Sequence, residues 1–140
     1  MWKLLLAEDH QPMLAAVRRA LEGATNVEIV GEAQAGDQLL PLVGRTSPDV
    51  VLLDLGMPGI DGRCLEQLDE LYPKVKTIVL LGGDAAVAVD ASIVRGAVAF
   101  IRKTTDPAEL ADSIRLALAM TPSAHTEAEV QSPLGLASTS

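Results

Sequence analysis

Five short apolar runs recur along the chain: KLLLA at 3–7, VEIVGEA at 27–33, VVLLD at 50–54, TIVLL at 77–81 and AFIRK at 99–103. Runs of this length, rich in Leu, Val and Ile, read as strands covered on both faces. The segments between them carry apolar residues at helical spacing and predict helices over 12–23, 37–45, 62–71, 84–95 and 106–120. Strict strand–helix alternation predicts an α/β sandwich, a parallel sheet whose right-handed crossovers put helices on both faces. The last helix has the plainest start signal, with Asp106 as cap, Pro107 at the first helical position and Glu109 at capping-box spacing. Its Leu110, Ile114, Ala117 and Leu118 form the stripe expected to face the sheet, which leaves Leu116 and Met120 pointing elsewhere. Pro41 predicts a late start or a kink in the second helix. The period stops after Met120, so residues 1–120 read as one domain and 121–140, rich in Ser, Thr, Pro and Ala, as a flexible linker or tail.

Composition narrows the function. Hydrophobic residues make up 49% of the 140 and aromatics only 2%, so the core must be built from Leu, Val, Ile and Ala. Asp and Glu outnumber Lys and Arg by 19 to 11, a formal charge of -8, which argues against direct contact with nucleic acid. A single cysteine, Cys64, excludes an internal disulfide or a cysteine metal cluster and reads as a small packed apolar residue. With neither a membrane-length apolar stretch nor a signal peptide, a cytoplasmic location without membrane attachment is expected.

In an open parallel sheet, ligands sit beyond the carboxyl ends of the strands. The first strand exits into Glu8 and Asp9, the third ends at Asp54 and the fifth at Lys103, so three carboxylates and one ammonium converge on one edge. Singly, each has an ordinary role as a turn, cap or surface residue; together they describe a site. Crowded carboxylates repel unless a cation lies among them. A hydrated set of oxygen ligands suits Mg²⁺, with Mn²⁺ as a substitute. Asp54 is then placed to attack a phosphoryl group and carry it as an acyl phosphate.

With these residues in place, the chain resembles the response-regulator receiver family, the CheY-like fold, over residues 3–120. The resemblance is carried by DLGMPGIDG at 54–62, by the acid pair upstream, and by Lys103 three residues after the aromatic Phe100. It implies a doubly wound five-stranded sheet in the order 2-1-3-4-5, with Asp54 as phosphoacceptor. It further implies that Asp9, Asp54 and the Gly56 carbonyl bind the metal directly, Glu8 acts through water, Lys103 holds a phosphoryl oxygen, and Pro58 and Gly62 shape the loop. A sensor histidine kinase as donor and a homodimer as the assembled form follow from the same resemblance. The opening AEDHQPM, with His10 after the acid pair, is similar to the subfamily with a LuxR-type helix-turn-helix output domain, which would lie outside this chain. The product of such a domain is a changed surface, so it is not expected to be an enzyme.

The chain departs from the family at the end of the fourth strand. Counting back from Gly96 places Leu81 where the family has Thr or Ser, and no hydroxyl occurs from 78 to 83. The switch region is therefore Leu81, Gly82 and Phe100, with the Gly82 amide a partial substitute for the lost hydroxyl. Two functions stay open: a phosphorylation-controlled receiver with a weakened switch, and a phosphorylation-independent binding or dimerisation module. The predicted helix over 84–95 is apolar nearly all round, which suits a contact face. A hydrolase of the aspartyl-phosphate kind fits poorly, because Gly56 stands where that class needs a second acid. Neither G-x-G-x-x-G nor a P-loop follows the first strand.

Overall fold

The computed structural model describes residues 1–24, 26–81 and 97–121. Five parallel strands, β1 (Trp2–Ala7), β2 (Val27–Ala33), β3 (Val50–Asp54), β4 (Lys76–Leu81) and β5 (Ala97–Arg102), form one sheet in the order β2-β1-β3-β4-β5. The described helices are α1 (Gln11–Leu21), α2 (Gly36–Thr46), α3 (Gly62–Leu71) and α4 (Pro107–Ala119). The predicted helix over 84–95, Gly82 and the segment beyond 121 lie outside the described residues.

Each strand contributes alternate residues to two cores, as the two-residue period requires. Leu4 and Leu6 of β1, Val50 and Leu52 of β3, Ile78 and Leu80 of β4 and Ile101 of β5 pack against α1 and α4. Leu5, Ala7, Val51, Leu53 and Val79 pack on the other face against α2 and α3. The expected stripe of α4, Leu110, Ile114, Ala117 and Leu118, is buried, while Leu116 and Met120 are exposed. Cys64 is buried in the α2/α3 core.

Three expectations need correction. β5 starts two residues earlier than its apolar run suggested and ends at Arg102, so Lys103 follows the strand instead of closing it. α2 does not start late: it begins at Gly36 and runs through Pro41. An internal proline costs about 3 kcal/mol or more, and burial of Leu39 and Val43, at roughly 1.5–3 kcal/mol each, is enough to outweigh it. The cap of α4 is only half of the expected box. Asp106 Oδ1 accepts from the Ala108 amide at 3.0 Å, but the Asp106 amide donates to Thr104 Oγ1 at 3.1 Å and not to Glu109.

Candidate functional site

Strand parity aims the chemistry. Leu6, Leu52 and Ile101 all face the α1/α4 side, and two residues further along each chain stand Glu8, Asp54 and Lys103. Strand pairing persists past the strand ends far enough to fix these residues. The Glu8 amide donates to the Ala33 carbonyl at 3.0 Å, and the Lys103 amide to the Leu81 carbonyl at 2.8 Å. All three side chains therefore meet at the carboxyl edge, between β1, β3 and β5.

Lys103 Nζ lies 2.8 Å from Glu8 Oε1 and 2.8 Å from Asp54 Oδ2. Asp54 Oδ1 accepts the Gly56 amide at 2.8 Å. Glu8 Oε2 accepts the Asp9 and His10 amides at 3.1 and 3.4 Å, a backbone cradle that no sequence signal announced. Glu8 and Asp54 are only 1% and 6% exposed, whereas Asp9, Gly56 and His10 are exposed at the mouth. Carboxylate oxygens of Glu8, Asp9 and Asp54 come within 4.8 Å of one another.

Burial pushes the Glu8 carboxyl up to about 7, its hydrogen bond with Asp54 adds to the rise, and Lys103 pulls against both. Burial alone would raise Asp54 as well. Its hydrogen bonds with Glu8, Lys103 and the Gly56 amide outweigh that penalty and hold it below the usual carboxylate range. Lys103 is raised, since its two carboxylate partners overcome the effect of burial. The pocket thus keeps Asp54 ionised at neutral pH and makes Glu8 the acid that takes up a proton first.

The donor set fits a small hard cation. Glu8 Oε1 is buried without a hydrogen bond of good geometry even though Lys103 Nζ lies 2.8 Å away, so one acceptor still faces the pocket unsatisfied. Three convergent carboxylates with an open, exposed side match the ligand preference of Mg²⁺.

Of the switch residues, Phe100 is 42% exposed on β5. Leu81 is half-buried, and its side chain packs with the α2/α3 core, on the face opposite to Leu80. What Leu81 offers the pocket is backbone, the carbonyl that fixes Lys103. Arg18 of α1 pairs through Nε and Nη2 with the Glu32 carboxylate near the end of β2.

A doubly wound sheet with an acid pair, a single aspartate and a lysine on its carboxyl edge defines an α/β signalling domain of the receiver class. The chain belongs to the response regulator receiver domain family, whose model matches residues 4–115. Among curated proteins, it is 36% identical to the transcriptional regulatory protein LiaR of Bacillus subtilis, over 84% of this chain and 56% of LiaR. It is 33% identical to the nitrate/nitrite response regulator protein NarL of Escherichia coli, over 83% of this chain and 54% of NarL. The chain thus spans about half the length of the curated relatives it matches. Among solved structures, the REC domain of AraT, a response regulator from Geobacillus stearothermophilus, matches with a TM-score of 0.69 and 30% identity, covering 83% of this chain and 92% of that one. A LuxR-family two-component response regulator from Aurantimonas matches with a TM-score of 0.70 and 25% identity, covering 95% and 97%. The chain is a two-component response regulator receiver domain whose relatives are of the LuxR/NarL type. No helix among the described residues is long and apolar enough to cross a membrane.

Proposed function

We propose that this domain accepts a phosphoryl group on Asp54 from a sensor histidine kinase and passes the signal on as a change of surface, with a LuxR-type DNA-binding output on the longer protein. The observation that carries the proposal is the pairing of a buried, ionised Asp54 with Lys103 Nζ at 2.8 Å on the edge where an open α/β sheet takes its ligand. An Asp54 oxygen attacks phosphorus, the bond from phosphorus to the donor atom breaks, and the donor histidine or acetate leaves with its electron pair. Lys103 exchanges a carboxylate partner for a phosphoryl oxygen. The exposed mouth at Asp9 and Gly56 admits the donor.

Asp9, Asp54 and the Gly56 carbonyl are the ligands we assign to Mg²⁺, with Glu8 holding its water shell. When bound, the ion supplies positive charge against the phosphoryl oxygens. Reduction of the phosphorylated chain with borohydride converts an aspartyl phosphate to homoserine. Peptide mapping is expected to find homoserine at position 54, and finding it at any other acid would overturn the assignment.

Ion binding must displace the proton on Glu8, which gives a pH dependence with a definite sign. Glu8 titrates near 7, so it is mostly protonated at pH 6 and mostly ionised at pH 8. Mg²⁺ affinity is expected to fall about tenfold from pH 8 to pH 6 as that one proton is taken up. Calorimetric titration at the two pH values measures it, and equal affinities would remove Glu8 from the site.

Leu81 favours a weaker coupling of phosphorylation to conformation, because it brings no hydroxyl and its side chain is committed to the α2/α3 core. A hydrogen bond to a charged acceptor is worth about 1.5–3 kcal/mol. Leu81→Thr alone does not restore that bond, because side chain 81 stands on the α2/α3 face and not on the face of Asp54. The phosphorylation-dependent shift in self-association, read as the ratio of dimer dissociation constants with and without phosphate, is expected to stay within about twofold of the parent, and a roughly tenfold larger ratio would contradict that placement. A parent ratio near one would favour the second reading, a binding and dimerisation module that signals without phosphate. The homodimer has support in Leu116 of α4 and Met120, the residue that caps it one turn on, which are 64% and 63% exposed. Residues 121–140 we assign as the connection to the output. Thr121 is still tied to α4 through its hydroxyl, which donates to the Ala117 carbonyl at 2.7 Å.

A further inference from the structure

Backbone contacts hold the loop that leaves β3. The Met57 amide returns to the Asp54 carbonyl at 3.1 Å and the Ile60 amide to the Met57 carbonyl at 3.2 Å, two consecutive turns that share the buried Met57. In the second turn Pro58 takes the second position and Gly59 the third, with φ at +89°, the combination that a type II turn demands. The Pro58 carbonyl, on the central peptide of that turn, accepts the Gly36 amide at 2.7 Å. Gly36 opens α2, where an amide has no partner within the helix.

The two backbones are in contact. A Cβ on Gly36 would fall 2.2 Å from both the carbonyl carbon and the oxygen of Gly59, and one on Gly59 would fall 2.9 Å from the Gly36 nitrogen. Neither neighbour is a flexible side chain, so only movement of the loop could relieve the overlap. Gly56 lies between the fixed end at Asp54 and this clasp, and its amide already spans 2.8 Å to Asp54 Oδ1.

The geometry points to Gly36 as a positioning residue for the metal loop: through Pro58 and Gly59 it holds the 55–60 segment where Gly56 can serve Asp54 and the ion. This inference rests on the Mg²⁺ site proposed above. Gly36 has no side chain and touches neither phosphoryl group nor metal, so its effect runs entirely through the loop. Coupling of this kind is reciprocal, and the ion must in turn tighten the clasp.

The test compares the parent chain with Gly36→Ala, Gly59→Ala and a distant control, Gly23→Ala, around which a Cβ would meet nothing within 4 Å. Thermal unfolding in EDTA reports folding. Calorimetry gives Mg²⁺ affinity, and acetyl phosphate uptake is followed against Mg²⁺ concentration. Gly36→Ala and Gly59→Ala are expected to bind Mg²⁺ at least tenfold more weakly and to regain most of the parent rate at saturating Mg²⁺, while the control stays within twofold of the parent. Folded variants with parent affinity would overturn the inference. Amide exchange on the parent adds a reading that needs no variant: Mg²⁺ is expected to slow exchange at Gly36 at least threefold, and an unchanged rate would also overturn it. A parent chain that binds no Mg²⁺ at all would instead refute the underlying site.

Discussion

Lys103→Met is expected to slow phosphoryl uptake from acetyl phosphate by about a hundredfold or more, yet to tighten Mg²⁺ binding. One electrostatic cause gives both signs. Lys103 Nζ bridges Glu8 Oε1 and Asp54 Oδ2, each at 2.8 Å, and so supplies positive charge to the acid pocket when no metal is bound. Removing it leaves a more negative pocket for the cation and takes from the incoming phosphoryl group a charge-assisted donor. Met preserves most of the apolar stem, so the change tests charge more than packing. Uptake followed by intact mass and Mg²⁺ affinity followed by calorimetry separate the two effects. Weakening of both together would indicate damage to the fold, and parent-like uptake would exclude Lys103 from the reaction.

Asp54→Asn is expected to abolish phosphoryl uptake at every Mg²⁺ concentration while leaving the sheet intact. Asn is nearly isosteric, and its carbonyl oxygen can keep the Gly56 amide that Asp54 Oδ1 accepts at 2.8 Å. An amide is no nucleophile toward phosphorus under these conditions, so the loss should be complete. The same variant makes a second prediction about Glu8. Its carboxyl stands near 7 first because of burial and then because of Asp54, both as hydrogen-bond partner and as charge. Burial persists in the variant but the Asp54 contribution goes, so Glu8 is expected to titrate below 7, readable from its side-chain carbonyl resonance. A Glu8 pKa that rose instead would contradict Asp54 as a cause of the raised Glu8 value.

The sheet was legible because its strands carry their own evidence. VVLLD at Val50–Asp54 is buried at every position, and a run of that kind fits only a covered central strand. Asp106 was legible for the same reason, since a cap declares itself in the residues beside it. The site was legible as a set of strand exits, and the shared side of Glu8, Asp54 and Lys103 follows from parity with Leu6, Leu52 and Ile101. Interactions made by backbone atoms were not legible. The cradle that the Asp9 and His10 amides form around the Glu8 carboxylate depends on chain path and not on side-chain type. The Gly36–Gly59 clasp joins residues whose side chains leave no pattern to read. Leu81 does end β4, but its period-two side had to be seen to show that its bulk belongs to the α2/α3 core. The late start that Pro41 suggested does not occur, because two buried residues of the same helix outweigh its local propensity.

Intact mass after incubation with acetyl phosphate, once with Mg²⁺ and once with EDTA in its place, decides whether the acid pocket is a working phosphoryl acceptor. The expected result is a gain of one phosphoryl group per chain with Mg²⁺ and none with EDTA. No gain in either condition, or an equal gain in both, would contradict a metal-dependent acceptor at Asp54.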